Sequence, residues 1–321
     1  MKSLFVLLPL ALPSVALAHG GPSDLLSRST WTYDPWIVTP LYLSGILYLL
    51  GTLRLWRHAG RGRGIAYWQA ACFWCAWLAT ALALVSPLHW LGERLFTAHM
   101  LEHGILMIIA APLLALARPI GGIAWGLPGR LRPVFGAITR KISRSRIWHL
   151  LTDPLIAALL HGFAVWAWHM PVFYNAVLSS VAVHRLQHLS FFLTALLFWW
   201  SLLQASPRRH SYGIAIFVLF ATMLHTGVLG ILLTLSRQVW YPQQAAFAAE
   251  WGMTPLEDQQ LAGLVMWVPM GLIYTAAALL IAARWIVGSN RSVQMPRRRI
   301  LIRPQGRSAI LPRLSGTRVL T

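Results

Sequence analysis

Two hydrophobic segments of this chain begin with paired histidines in similar surroundings, His99-Met-Leu-Glu-His103 and His184-Arg-Leu-Gln-His188. The members of each pair are four residues apart, so on an α-helix both imidazoles lie on one face, about one turn apart. A third apolar segment ends in Trp-His169-Met-Pro. If all three segment ends lie on the same side of a membrane, their imidazoles form a group suited to holding a metal ion.

Three further residues could complete or support such a site. His225 is predicted about halfway along a later helix, toward its outer half. Glu102 shares the face of the first histidine pair, and Asp258 is expected at the outer start of the last helix. Carboxylates in such positions accept hydrogen bonds from imidazoles and orient them. The predicted metal ligands are His99, His103, His169, His184, His188 and His225, and the predicted supporting residues are Glu102 and Asp258.

The side chains near these histidines favour copper slightly. Imidazole suits zinc, copper and iron, whereas thioether sulfur favours Cu(I). Methionine also fills space between membrane helices. The methionines in question are Met100, Met170, Met253, Met266 and Met270. For the isolated His161 we expect an interhelical hydrogen bond, the commoner role of a single histidine in a membrane helix.

The elements that must position these residues are predicted to be membrane helices. Of the 321 residues, 57% are hydrophobic and 11% are charged, whereas soluble proteins have about 25% charged residues. Each apolar segment is near the length that crosses ~30 Å of hydrocarbon. The seven segments are 36–55, 65–86, 99–117, 154–170, 186–204, 212–235 and 260–287. The predicted fold class is an all-α, polytopic transmembrane bundle of seven spans.

The net charge of +19 is concentrated in alternate connections. Apart from Lys2, 22 of the other 26 Lys and Arg residues lie in 54–63, 118–146, 208–209 and the region from 284 onward, and seven of the eight acids lie on the opposite side. The positive-inside rule then places the amino end outside, the carboxyl end in the cytoplasm and the histidines on the outer, periplasmic side. Nucleic-acid binding is not expected, because no aromatic residues are interleaved with the charges of the tail.

The sequence divides into three predicted regions. Residues 1–18 combine Lys2, a short apolar stretch and Ala16-Leu17-Ala18, which is typical of a signal peptide. Cleavage after Ala18 would make His19 a terminal copper chelator, and a retained anchor is the alternative. Residues 19–287 form the transmembrane domain, and 288–321 form a basic, disordered cytoplasmic tail near anionic lipid headgroups.

Two short motifs suggest enzymatic or redox chemistry but fit it poorly. Cys72-Phe-Trp-Cys75 lies inside a predicted helix, where packing is the simpler role. His99-Met-Leu-Glu-His103 matches the H-x-x-E-H pattern of zinc peptidases. Its counterpart has Gln187, which cannot act as a base. We therefore expect no enzyme activity.

Four longer motifs connect the histidines to a known family. They are Ala98-His99-Met100-x-x-His103 with Pro112-Leu113-Leu114, Trp166-x-Trp168-His169-x-Pro171-x-x-Tyr174, His184-x-x-Gln187-His188-x-Ser190-Phe191 with Phe198-Trp199-Trp200, and Thr254-Pro255-Leu256-Glu257-Asp258-Gln259-Gln260-x-x-Gly263-x-x-Met266-Trp267. Through these four motifs, residues 36–285 resemble the CtaG family of cytochrome c oxidase assembly membrane proteins. Glu102 stands where Gln is expected, and Ala111 where a second Pro is common.

The resemblance implies a role in maturing the copper centres of haem-copper cytochrome c oxidase. The resulting hypothesis is an inner-membrane assembly factor that binds or delivers copper through the periplasm-facing histidines. Its expected partners are oxidase subunits, a periplasmic copper chaperone and membrane lipids. One alternative is a haem- or quinone-binding redox protein, because imidazoles facing each other from different helices can ligate haem. The other is a metal-free assembly scaffold whose histidines only pack and form hydrogen bonds.

Overall fold

The computed structural model describes residues 30–204 and 209–294, and within these ranges the chain is helical without β-strands. This confirms the predicted all-α class. In chain order the elements are α1 (Pro35–Ala59), α2 (Tyr67–Leu84), α3 (Pro87–Gly92), α4 (Phe96–Gly104), a π-helical turn (Ile105–Ala110), α5 (Ala111–Ala117), α6 (Ile120–Gly126), α7 (Arg132–Ser143), α8 (Arg146–Leu151), α9 (Pro154–Trp168), α10 (Pro171–Ser179), α11 (Val181–Gln204), α12 (Arg209–Leu235), a 3₁₀ helix (Gln244–Trp251) and α13 (Pro255–Gln294). The predicted signal peptide, His19 and residues 295–321 of the predicted tail lie outside the described residues.

The described helices make this a multi-pass membrane protein. Those long and apolar enough to cross a membrane are Pro35–Ala59, Tyr67–Leu84, Phe96–Ala117, Val181–Gln204, Tyr212–Leu235 and Pro255–Val287. The predicted fourth span, 154–170, corresponds to α9, which meets α10 at 72°. Counting this bent pair as one span gives the expected seven. The orientation relative to the two sides of the membrane stays a prediction.

The bend in the fourth span has a local cause in the sequence. Pro171 begins α10, and the residue before a proline is pushed out of the helical region. Met170 accordingly adopts extended backbone angles, φ −69° and ψ 132°. The helix therefore stops at Trp168 and restarts in a new direction, which leaves His169 at the corner.

The span that carries His99 and His103 is interrupted by a wide turn. The segment Ile105–Ala110 is π-helical, and Pro112 follows it. A proline ring collides with the carbonyl four residues earlier, so a regular α-helix cannot continue through this segment. The indole Nε1 of Trp199 donates to the carbonyl oxygen of Met107 at 2.9 Å, which satisfies a polar group within the widened turn.

Close glycine contacts hold α6 against α1. A Cβ added at Gly126 would collide with the carbonyl oxygen of Leu47, and one added at Gly51 would collide with that of Gly122. Small residues four apart are a common means of close helix packing in membranes. The Arg54 guanidinium then donates to the carbonyl oxygen of Gly126 at 2.7 Å, where a cation also complements the helix dipole.

The basic connection at 118–146 contains helices rather than an open loop. Neither α7 nor α8 has a fully buried residue. On α7, the exposed side chains of Val134, Ile138 and Ile142 recur every four residues, and Arg140 and Lys141 add positive charge. Such a helix is typical of the membrane surface, with its apolar face toward the acyl chains. On α2, Cys72 and Cys75 are free thiols.

Candidate metal centre

The paired histidines of α4 and α11 meet within the bundle. One ligand atom from each of His99, His103 and His188 lies within 4.8 Å of the others. The ring centroid of His103 is 4.2 Å from that of His99 and 4.8 Å from that of His188. All three side chains are buried, with exposed fractions of 2%, 1% and 8% respectively. We call these three residues the histidine triad.

Four of the six ring nitrogens of the triad lack hydrogen-bond partners. His99 Nε2, His188 Nδ1 and both ring nitrogens of His103 are buried without one. Buried polar atoms in proteins are nearly always paired, and an unpaired one costs roughly 1–3 kcal/mol. A cation between the three rings would provide the missing partner. Imidazole nitrogens are good ligands for copper, zinc and iron, so these residues fit a metal of that group.

Glu102 and His184 approach His188 from its other nitrogen. His188 Nε2 lies 2.8 Å from His184 Nε2 and 3.6 Å from Glu102 Oε1. Because these groups face Nε2, the nitrogen left for the triad is Nδ1. At 3.6 Å the Glu102 carboxylate lies next to His188 without a hydrogen bond to it. The half-buried His184 makes the 2.8 Å contact with Nε2 instead.

His89 is a member of the site that the sequence analysis did not select. Its Nδ1 donates to Glu102 Oε1 at 2.8 Å, and His89, Glu102 and His188 form a second close group of ligand atoms. Burial alone would lower the pKa of His89, but the charge and hydrogen bond of Glu102 outweigh it and raise that pKa above its ordinary value. A signal was present in the sequence, because Ser86-Pro87 is a strong helix start that presents His89 on α3.

Asp258 acts on the backbone of α4 rather than on an imidazole. Its buried carboxylate on α13 accepts hydrogen bonds from the backbone nitrogen of Phe96 at 2.8 Å and from that of Thr97 at 2.9 Å. It also accepts one from the Thr97 hydroxyl at 2.7 Å. The residue at the N-cap of α4, Leu95, provides no side-chain cap. Asp258 therefore replaces it from another helix and fixes the end of α4 that carries the histidines.

His169 lies beside the triad but outside its close group. At the corner between α9 and α10, its Nδ1 donates to the carbonyl oxygen of Val165 at 2.7 Å. Its Nε2 faces the sulfur of Met100 at 3.4 Å. The ring of Phe191 is near both His169 and His103, with centroid separations of 6.2 Å and 4.7 Å. Phe191 thus packs beside both histidines.

The structure does not bring His225 into the histidine triad. His225 Nδ1 accepts a hydrogen bond from the indole of Trp166 at 3.3 Å, so it faces α9. Neither close group of ligand atoms found in the described residues includes it. His161, also on α9, lies 3.2 Å from the Thr194 hydroxyl and so makes an interhelical hydrogen bond.

The arginine next to His184 is held away from the histidine triad. Arg185 follows His184 directly, but its guanidinium is 2.7 Å from the carboxylate of Asp34 at the start of α1. This ion pair keeps a positive charge from pointing at the group that would bind a cation. It also ties α1 to the histidine-bearing end of α11.

Comparison with known proteins adds a family match. A family model described as cytochrome c oxidase caa3 assembly factor (Caa3_CtaG) matches residues 46–287. That stretch contains the triad, Glu102, His89, His169 and Asp258.

The similar curated proteins include two from mycobacteria. The uncharacterized protein ML1998 of Mycobacterium leprae is 25% identical over 285 residues, covering 84% of this chain and 41% of that protein. The uncharacterized protein Mb0105 of Mycobacterium bovis is 26% identical over 225 residues, covering 65% of this chain and 33% of that protein. The chain thus spans less than half the length of either relative. No solved structure matches it.

Proposed function

Because this chain belongs to the family of cytochrome c oxidase caa3 assembly factors, we propose that it binds copper and presents it during oxidase assembly. The single observation that carries this proposal is the triad of buried imidazoles with unpartnered nitrogens. Copper is here a cargo, and the role is one of binding rather than catalysis. The proposed location is the bacterial inner membrane, with the triad toward the periplasm, as the distribution of basic residues predicts.

The arrangement of the side chains suggests how each would contribute. His99, His103 and His188 would hold the ion, and Glu102, which contacts His89 at 2.8 Å, would provide a negative charge beside His188. The half-buried His184 lies at the rim with the ring of His89 stacked beside it, where a periplasmic chaperone could deliver the ion. His188 belongs to both close groups, so the two groups are adjacent.

A haem-binding role is less well supported by the geometry. A macrocycle needs two opposed imidazoles with a wide gap around the iron. Here a third imidazole fills that gap, because the His103 ring is in contact with the rings of both His99 and His188. Three rings around one point suit a single ion. A visible spectrum of the purified protein separates these functions, since bound haem gives a strong Soret band.

Deleting the gene from its host is expected to lower both the copper content and the activity of the purified oxidase. Restoring the wild-type gene should restore both. The measurement is metal analysis of the oxidase together with its rate of cytochrome c oxidation. Normal copper content and activity in the deletion strain would contradict this proposal and the metal-free scaffold alike. Oxidase that is poorly assembled but fully metallated would favour the scaffold.

Replacing Glu102 tests its role behind His188. Glu102→Leu removes the acceptor and should weaken copper binding about 10- to 100-fold, the usual effect of losing such a group. Glu102→Gln keeps an acceptor oxygen for His89 and matches the residue expected in the family, so its loss should be less than about tenfold. Competition with a copper chelator measures both affinities. Equal affinity of the leucine variant and the wild type would remove Glu102 from the site.

A further inference from the structure

A thioether and an imidazole face each other beside the triad. Met100 Sδ lies 3.4 Å from His169 Nε2, and the two residues are 1% and 5% exposed. The proton of the neutral His169 ring is on Nδ1, because that nitrogen donates to the carbonyl oxygen of Val165 at 2.7 Å. Nε2 therefore presents a lone pair to a sulfur atom that also has only lone pairs. Neither atom can donate a hydrogen bond to the other.

Two buried electron-pair donors in this position are suited to a shared cation. Thioether sulfur binds soft ions such as Cu(I) and is a poor ligand for hard or borderline ions. We propose that Met100 and His169 form a second copper locus beside the triad, selective for Cu(I). This proposal rests on the copper-binding function proposed above and extends it to the oxidation state and to a second position for the ion.

The surrounding structure holds both ligands in place. Met100 lies between His99 and His103 on α4, the helix end that Asp258 caps. His169 is at the 72° corner between α9 and α10, and its carbonyl oxygen accepts a hydrogen bond from the Tyr241 hydroxyl at 2.6 Å. His103 has both ring nitrogens unpartnered and shares the neighbour Phe191 with His169, so it is a candidate to serve the triad and the new locus in turn.

The test compares Met100→Leu with the control Met270→Leu in the purified full chain. Met270 is also buried, at 2% exposed, and its methyl group packs against α4 near Gly104. Each protein is loaded with Cu(I) under anaerobic, reducing conditions and titrated against a Cu(I) chelator. Copper X-ray absorption then reports whether sulfur is a ligand. Thermal unfolding of the metal-free variants checks that each one folds.

Wild type and Met270→Leu are expected to show a copper–sulfur path that Met100→Leu lacks. Met100→Leu should also bind Cu(I) at least about tenfold more weakly, while its Cu(II) affinity stays within about twofold of wild type, because imidazoles bind both ions. A sulfur path that persists in Met100→Leu overturns the proposal. So does a wild-type spectrum without sulfur, which decides the question even if the variant fails to fold.

The outcomes also separate this proposal from the one on which it rests. A wild-type protein that binds neither Cu(I) nor Cu(II) contradicts the copper-binding function itself. A wild-type protein that binds copper through nitrogen ligands alone, with equal Cu(I) affinity in Met100→Leu, contradicts only the Met100–His169 locus.

Discussion

Replacing His103 and His188 together by alanine is expected to abolish Cu(II) binding by the purified protein. The two residues come from different helices, α4 and α11, and their rings are 4.8 Å apart at the centroids. Without them, His99 is the only triad imidazole that remains. One neutral imidazole cannot replace the hydration shell of a copper ion, so the content should fall from about one ion per chain to near zero.

The matched control for this variant is His161→Ala combined with His225→Ala. It also removes two histidines from membrane helices, but both lie on the α9 side, away from the triad. We expect it to keep the wild-type copper content by mass spectrometry of the eluted metal. Cu(II) retained in the His103 and His188 variant, or lost equally in the control, would show that the triad is not the Cu(II)-binding site.

Removing the Asp258 carboxylate is expected to produce the largest loss of stability. Asp258→Ala leaves two backbone N–H groups at the start of α4 and the Thr97 hydroxyl without their buried acceptor. Hydrogen bonds to a charged group contribute about 1.5–3 kcal/mol each, so a total loss of about 2–4 kcal/mol is a conservative expectation. Copper affinity should fall as well, because α4 carries two triad residues.

Thermal unfolding in detergent measures this effect, with Glu250→Ala as the control. Glu250 is an exposed acid in the 3₁₀ helix, and its removal should change the melting temperature little. Asp258→Asn keeps an acceptor oxygen and should fall between alanine and wild type. If Asp258→Ala weakened copper binding without changing stability, Asp258 would act on the metal ligands directly, as the sequence analysis had suggested.

The triad could be predicted from local sequence, whereas the surrounding contacts could not. Spacing of four residues placed each histidine pair on one helix face, and the two faces meet in the structure. The sequence also proposed Glu102 as a supporting residue, and its carboxylate lies next to His188 and His89. Which nitrogen of His188 faces Glu102, however, depends on the packing of α4 against α11. That packing follows from the tertiary arrangement of the whole bundle.

The differences at Asp258 and His225 have the same origin. Both were predicted from their expected depth in the membrane, and depth does not specify direction around the helix axis. Asp258 turns toward backbone N–H groups, and His225 turns toward Trp166. His89 was overlooked because it precedes the predicted span, although the short helix α3 brings it to Glu102.

The proline at position 171 shows how a single residue can shape a site at a distance. A straight fourth span would have carried His169 along the axis of α9. Because the helix restarts at Pro171, this histidine lies at a corner. There its backbone carbonyl oxygen accepts a hydrogen bond from the Tyr241 hydroxyl, and its ring contacts the sulfur of Met100. The motif Trp-His-Met-Pro therefore contains both the proposed ligand His169 and the proline that breaks the helix beside it.

The π-helical turn at Ile105–Ala110 has a geometric consequence for the protein as a whole. A wide turn of this kind adds one residue to the helix, and each residue advances a helix by about 100° around its axis. The part after the turn is therefore rotated out of phase with the part before it. This rotation lets both parts of the helix face α11. His99 and His103 face its start, and the carbonyl oxygen of Ala115 accepts a hydrogen bond from Gln204 at its end. Deleting one residue from the turn would remove this rotation. Either the histidine pair or Ala115 would then no longer face α11.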